Sequence, residues 1–170
     1  MILFKCTASS TIGLGHLMRC RQLAIKLGNN GHRVSLFDVP PEFTNKIDTQ
    51  TFTHIYYKAP QSKSNSNNAE DIIEYGHKIR ASTYVLDDFH IDQAYQEKLF
   101  SAGKRWLQYA SYKPMEYLAD ILVAPHAAAT PEMFQNSIKH KHTTLLTGPE
   151  YASLRPEFSG LPRRVTKQKN

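Results

Sequence analysis

The sequence is poor in cysteine and has no long hydrophobic run. Its two cysteines, Cys6 and Cys20, lack CxxC spacing, so they support neither a zinc site nor a disulfide framework. No apolar run approaches the ~20 residues that a transmembrane helix needs. The opening residues MILFKC lack the basic region that precedes the apolar core of a signal peptide. We therefore expect a cytoplasmic protein with no metal site and no membrane partner.

Acidic residues are also scarce relative to basic ones. The chain contains 21 Lys and Arg against 15 Asp and Glu, which gives a net charge of +6 at pH 7. Part of the excess lies in the C-terminal segment RRVTKQKN, which has no acid. The rest of the chain is closer to balance, so we expect no nucleic-acid partner. A mildly basic protein suits anionic small molecules equally well.

Apolar runs alternate with amphipathic runs along the chain. Strands are predicted at 1–6, 33–39, 53–59, 83–89, 104–110, 119–125 and 143–149, and helices at 15–32, 68–82 and 92–103. This alternation predicts a parallel sheet covered on both faces. Right-handed crossovers then give a doubly wound, Rossmann-like α/β domain, which we assign to residues 1–158. Residues 61–68 are predicted as a polar loop, and residues 159–170 as a basic linker.

The turn after the first predicted strand is rich in glycine. It reads TIGLGHLMRCRQLA from Thr11 to Ala24. Gly13 and Gly15 fit the first two positions of the dinucleotide fingerprint GxGxxG, but Met18 takes the third and the P-loop pattern is absent, so we expect no NAD. In an open α/β sheet this turn contacts phosphate or sugar, because glycines permit close backbone approach and the helix start offers free N–H groups.

His16 lies at the start of the helix that follows this turn. The positive end of the helix dipole disfavours an imidazolium at that position. A neutral imidazole that faces a ligand crevice is a suitable general base for water. The alternative is a structural histidine that caps the turn or bonds a nearby carbonyl.

Further polar residues follow the later strands. Asp87 and Asp88 end the fourth strand, where paired acids can do acid–base chemistry or bind a metal. More commonly one such acid caps the next turn and the other is solvated. His90 and His126 also follow strands, although a lone histidine is more often structural. The HKH segment at 140–142 implies no third metal ligand, and we interpret it as a solvated loop.

Three segments resemble the UDP-2,4-diacetamido-2,4,6-trideoxy-β-L-altropyranose hydrolases of pseudaminic acid biosynthesis. TASSTIGLGHLMRCRQLA reproduces the family order of a serine-containing turn, Gly-x-Gly-His and a helix with R-C-x-x-L-A. YVLDDFHIDQAYQEKL is similar to their V-x-D-x-Y-x-L-D segment after the fourth strand. LLTGPEYASLRPEF is similar to their G-x-x-Y-A-x-L-R-x-E-F segment. Order and spacing agree across residues 1–158.

The resemblance implies the N-terminal, sugar-facing half of a GT-B fold, in which a C-terminal domain supplies most of the UDP site. It implies that water attacks the anomeric carbon, UDP leaves and the configuration inverts, with no metal and no cofactor. His16 is then the catalytic residue. The matching positions that would bind the substrate, a UDP-linked amino sugar, are Ser10, Gly13, Gly15, Arg19, Asp87, Phe89, Tyr151 and Arg155. For Arg155, an ion pair where the two domains join is the alternative.

The sequence also departs from the family. It stops shortly after LRPEF, where the second domain is expected, so a C-terminal domain partner or a second copy would have to complete the UDP site. Phe89 replaces the tyrosine of D-x-Y, and LQYASYKP replaces a segment that usually reads D-D-L-A-x-R. Two alternatives stay open: the acceptor-side half of a GT-B glycosyltransferase, and a non-catalytic domain that binds a partner or nothing. The absence of the longer run Gly-x-Gly-Gly-His favours the hydrolase.

Overall fold

Seven parallel strands form the sheet of this protein. The computed structural model describes residues 1–11, 13–57, 68–111, 114–154 and 157. The strand order is β3-β2-β1-β4-β5-β6-β7, and every pairing between neighbours is parallel. The predicted strands and the doubly wound, Rossmann-like α/β fold are confirmed. The strands are β1 (Ile2–Cys6), β2 (Val34–Val39), β3 (His54–Tyr57), β4 (Thr83–Asp87), β5 (Trp106–Tyr109), β6 (Ile121–Ala124) and β7 (Thr144–Thr147).

Within the described residues, four α-helices cover the sheet: α1 (Gly15–Asn29), α2 (Lys46–Thr51), α3 (Ala69–Lys78) and α4 (Gln93–Ser101). Apolar periodicity predicts α1, α3 and α4, whereas α2 is additional. Its sequence, KIDTQT, is too short and too polar to give a periodic signal. None of the helices in the described ranges is long and apolar enough to cross a membrane.

Local capping defines α2. The side chain of Asn45 accepts hydrogen bonds from backbone N–H groups of the first turn, and the N–H of Asn45 donates to Asp48 at 2.9 Å in return. Asp48 also forms a buried ion pair with Arg21 of α1, in which the guanidinium Nε lies 2.6 Å from Oδ1 and Nη2 lies 2.7 Å from Oδ2. The pair therefore fixes α2 against α1.

The two faces of the sheet carry separate hydrophobic cores, because side chains alternate along each strand. Phe4 of β1 points to the face that α1 covers and belongs to the same core as Leu17 of that helix. Leu3 points to the opposite face and shares its core with Ile72 of α3 and Leu99 of α4. Burial on both faces explains why β1 reads as a nearly continuous apolar run.

The connections after β5 and β6 contain no α-helix among their described residues. A third, smaller core that includes Tyr117, Leu122 and Phe134 packs beside them. The predicted polar loop and basic tail lie outside the described residues except Asn68, whose side chain caps α3. The domain boundary at 158 therefore stays a prediction.

The chain order creates a crevice at the carboxyl ends of β1 and β4. These strands are neighbours, but β1 leads to α1 on one face of the sheet and β4 leads to α4 on the other. In doubly wound folds ligands bind where the connections from neighbouring strands diverge in this way. The residues that follow β1 and β4 are therefore the first candidates for a site.

Candidate functional site

A cavity of about 340 Å³ lies at this crevice. Residues from the start of α1, from the ends of β4 and β5, and from the segment after β6 line it. The polar lining includes His16, Arg19, Asp87 and His126, and Phe89 and Met115 are among the apolar residues. The cavity thus offers both charged and apolar side chains to a ligand.

The glycine turn delivers His16 to this cavity. Gly13 has φ +88° and donates its N–H to the carbonyl of Ser9 at 2.8 Å, which closes the turn before α1. Only glycine adopts this φ without strain. A Cβ at Gly15 would meet no atom within 4 Å, so steric crowding is not the reason for a glycine at this position. Because α1 begins at Gly15, His16 lies in the first turn of this helix, near the carboxyl end of β1.

Asp87 holds the imidazole of His16 in one orientation. Nδ1 of His16 lies 2.7 Å from Oδ1 of Asp87, whose side chain is 3% exposed at the end of β4. A carboxylate only accepts hydrogen bonds, so Nδ1 carries the proton and donates it. In a neutral imidazole with its proton on Nδ1, Nε2 is the acceptor, which is the tautomer that a general base requires.

Arg19 binds the same carboxylate from the other side. Its Nε donates to Oδ2 of Asp87 at 2.7 Å, and its Nη2 donates to Oδ1, the oxygen that also accepts the Nδ1–H of His16. Burial disfavours the guanidinium charge, but the hydrogen bond and charge of Asp87 outweigh burial and raise the pKa of Arg19. Arg19 is therefore cationic at every physiological pH, and its guanidinium group is paired with Asp87.

Tyr109, at the end of β5, lies under Arg19. The guanidinium carbon is 4.3 Å from the centroid of the ring, a cation–π contact. The hydroxyl group of Tyr109 lies 3.2 Å from Oγ of Ser153, and burial raises the pKa of this tyrosine to about 12. Tyr109 was not among the residues expected from the sequence to form the site. The only signal was its position at the end of a predicted strand, in the segment where the family pattern differs.

Phe89 contacts His16 through its ring edge rather than through a polar group. The two ring centroids are 4.4 Å apart, with an interplanar angle of 78°. The backbone N–H of Phe89 donates to Oγ1 of Thr7 at 3.2 Å, which fixes the turn after β4. Phe89 therefore limits rotation of the imidazole and also lines the cavity.

Asp88 lines the same cavity as His16 but binds a separate set of partners. Nζ of the buried Lys5 lies 3.1 Å from Oδ2 of Asp88, and Thr7 donates its hydroxyl proton to Oδ1 at 2.6 Å. His90 also bonds Oδ1, through its backbone N–H and through Nδ1. Burial opposes ionisation, but the charge of Lys5 and these hydrogen bonds outweigh it and lower the pKa of Asp88 to about 2. Asp88 is thus an anion with a structural role. Its partner Lys5 could have been noticed in the sequence, because it is a lysine inside an apolar strand.

Several predicted site residues lie apart from the cavity. Ser10, Gly13 and Tyr151 do not line it. Ser10 is exposed, and Tyr151 belongs to a short 3₁₀ turn after β7 and is 41% exposed. Arg155 lies outside the described residues. The structure therefore brings together His16, Gly15, Arg19, Asp87 and Phe89 from the predicted set.

The described residues contain no cluster of three or more His, Cys, Asp or Glu side chains that could hold a metal ion. In the HKH segment the rings of His140 and His142 pack edge to face, and His140 also contacts Phe100.

Comparison with known protein families gives no matching family model, and no curated protein matches the chain significantly.

Proposed function

We propose that this chain is the sugar-facing domain of a hydrolase that releases UDP from a UDP-linked amino sugar of the pseudaminic acid type. One observation carries the proposal: Nδ1 of His16 lies 2.7 Å from Oδ1 of Asp87 beside the cavity. A buried carboxylate that holds a histidine in this tautomer is the arrangement that general-base catalysis uses. The motif resemblance supplies the substrate class and the GT-B context.

In the proposed reaction, Nε2 of His16 accepts a proton from a water molecule as the water oxygen bonds to the anomeric carbon. The bond between that carbon and the phosphate oxygen breaks, and its electron pair leaves with UDP. Attack from the face opposite the leaving group inverts the configuration. Asp87 stabilises the imidazolium that forms, and Arg19 holds the Asp87 carboxylate in place through two hydrogen bonds.

The cavity supports binding of the sugar rather than of the whole nucleotide sugar. Its volume of about 340 Å³ is near the lower limit of small-molecule sites, which begin at roughly 300 Å³. The apolar side chains of Phe89 and Met115 in the lining suit methyl groups of a deoxygenated, acetylated sugar. We include in the proposal a second domain or chain that binds the UDP moiety.

The proposal is tested by measuring UDP release from the UDP-linked diacetamido-altrose. The protein is assayed alone and with the C-terminal domain of a related hydrolase. We expect UDP from at least one of these mixtures, and at least a 100-fold lower rate with His16→Asn, because removal of a general base typically costs 10²–10⁴-fold.

His54→Asn is the matched control, because His54 is exposed on β3, at the sheet edge beyond β2. It should leave the rate unchanged. Release that occurs only after an acceptor sugar is added would replace hydrolysis by glycosyl transfer. No release in either mixture, with folded protein, would reject the catalytic proposal.

A further inference from the structure

The ring of Tyr109 is the platform for the guanidinium of Arg19. The contact is 4.3 Å from the guanidinium carbon to the ring centroid, and Tyr109 is 7% exposed, so the face that Arg19 covers is shielded from water. A cation–π contact is stronger where water is excluded. The ring therefore decides where the guanidinium group lies.

A continuous chain of contacts runs from this ring to the imidazole. Arg19 donates to both oxygens of Asp87, and Oδ1 of Asp87 accepts the proton on Nδ1 of His16. Nη2 of Arg19 is also 3.2 Å from Nδ1 of His16. Both groups are donors in this tautomer, and the oxygen of Asp87 that accepts from both offsets their mutual repulsion. A displaced guanidinium would free the carboxylate to rotate away from the imidazole.

We infer that Tyr109 is a positioning residue for His16, and that it acts by holding Arg19 against Asp87. The ring face is the part that acts, because it is the ring that contacts Arg19. The hydroxyl group points elsewhere, to Ser153. The effect of Tyr109 on the reaction rate rests on the proposed hydrolysis, whereas its effect on the tautomer of His16 does not.

The direct test is the protonation of the two imidazole nitrogens, read by NMR of protein with isotope-labelled histidine. The spectra are recorded at alkaline pH, where a histidine is neutral, and His16→Asn identifies the signals of His16. We expect the Nδ1–H form in the wild type and in Tyr109→Phe, which keeps the ring. In Tyr109→Leu we expect a mixture with the Nε2–H form, which free imidazole side chains favour in water.

Tyr84→Leu is the matched control, because Tyr84 is also buried but packs in the core on the opposite face of the sheet. It should lower stability without changing the tautomer of His16. The inference is overturned if folded Tyr109→Leu keeps the pure Nδ1–H form, or if Tyr84→Leu loses it as well. If Tyr109→Leu does not fold, Tyr109→Met, which fills more of the same space, is read by the same criteria.

A double-mutant cycle tests the route through Arg19. Arg19→Leu alone should shift the tautomer as Tyr109→Leu does, and the double variant should add little, because both substitutions break one chain of contacts. Independent, additive shifts would show that Tyr109 reaches His16 by another path and would overturn that part of the inference.

The kinetic consequence is measured separately. We expect Tyr109→Leu to lower kcat about tenfold and Tyr109→Phe to stay within about twofold of the wild type, given the strength of a partly buried cation–π contact. Because Tyr109 also lines the cavity, its effect on the base is read from kcat rather than from KM. If Tyr109→Leu shifts the tautomer of His16 but the wild type releases no UDP, the proposed function is rejected and the positioning role stands. If Tyr109→Leu keeps the tautomer of the wild type and the wild type releases UDP, the positioning role is rejected and the proposed function stands.

Discussion

At the scale of single residues, two adjacent carboxylates have opposite surroundings. Asp87 binds His16 and Arg19 beside the cavity, whereas Asp88, which also lines the cavity, binds Lys5 and Thr7. Neighbouring positions at the end of a strand point to opposite faces of the sheet. One carboxylate is therefore available to orient a base, and the other anchors the turn that carries Phe89.

The first prediction concerns Asp87→Asn. The new amide NH₂ can donate to Nδ1 of His16, which would move the imidazole proton to Nε2 and remove the base. We expect kcat for UDP release to fall about 1,000-fold with little loss of stability. Asp71→Asn, an exposed change on α3, is the control for the loss of one negative charge. A rate for Asp87→Asn within tenfold of the wild type would contradict this role.

The second prediction concerns acid stability. Because folding lowers the pKa of Asp88 from 3.8 to about 2, its ionised form stabilises the folded protein above pH 3.8 and this contribution disappears as the pH falls through 2. Between pH 5 and pH 3 the wild type should lose about 1 kcal/mol of unfolding free energy from this residue. Urea unfolding of the wild type and Asp88→Asn at both pH values should show that their difference narrows by this amount; a constant difference would be inconsistent with the network.

At the scale of secondary-structure elements, the fit of α3 against β4 depends on one glycine. The phenolic oxygen of Tyr84 occupies the space that a Cβ at Gly76 would take, and the ring carbon Cζ would be 2.9 Å from that Cβ. The Tyr84 hydroxyl group has no hydrogen-bond partner within the described structure. The tyrosine therefore contributes shape rather than a polar contact at this interface.

The third prediction follows from that contact. Gly76→Ala in an exposed helix would stabilise it by about 1 kcal/mol, but here the added methyl group meets Tyr84, and overpacking costs about 1–3 kcal/mol. We expect the net effect of Gly76→Ala to be a lower unfolding free energy, by up to about 2 kcal/mol. The loss should be smaller in a Tyr84→Phe background, which removes the overlapping oxygen. Equal losses in both backgrounds would locate the strain elsewhere.

Secondary-structure elements can be predicted from the sequence where burial gives apolar residues a regular spacing. Contacts between residues far apart in the chain cannot be predicted in this way, because they depend on the order of the strands in the sheet. The strands and the longer helices follow from apolar runs, whereas α2 depends on the cap at Asn45 and on a distant arginine, Arg21. His16 was identified from its place at a helix start. Its partner Asp87 is 71 positions away, and the two meet because β1 and β4 are neighbours in the sheet.

At the scale of the whole molecule, stability is concentrated in the middle of the sheet. Strands β1, β2 and β4 are paired on both sides and buried almost throughout. The edge strands β3 and β7 are largely exposed or half-buried. The site residues follow β1 and β4, so they stand on the part of the fold that opens least often.

The fourth prediction is the pattern of amide hydrogen exchange. Backbone N–H groups of β1 and β4 should exchange slowest, at rates set by global unfolding, and those of β3 and β7 should exchange much faster through local opening. Mass spectrometry of exchanged peptides would measure this order. Protection of β3 or β7 equal to that of β1 would mean that another surface covers that edge in solution.

Two arginines on α1 together determine how far that helix can roll about its own axis. Arg19 and Arg21 are two positions apart, so they leave the helix in directions about 200° apart. One is bound to Asp87 at the end of a strand and the other to Asp48 in α2. Rotation of α1 about its axis in either direction would stretch one of these ion pairs, so together they hold the helix in one rotational position. The direction of the His16 side chain is therefore set before any ligand arrives, and ligand entry should leave the azimuth of α1 unchanged.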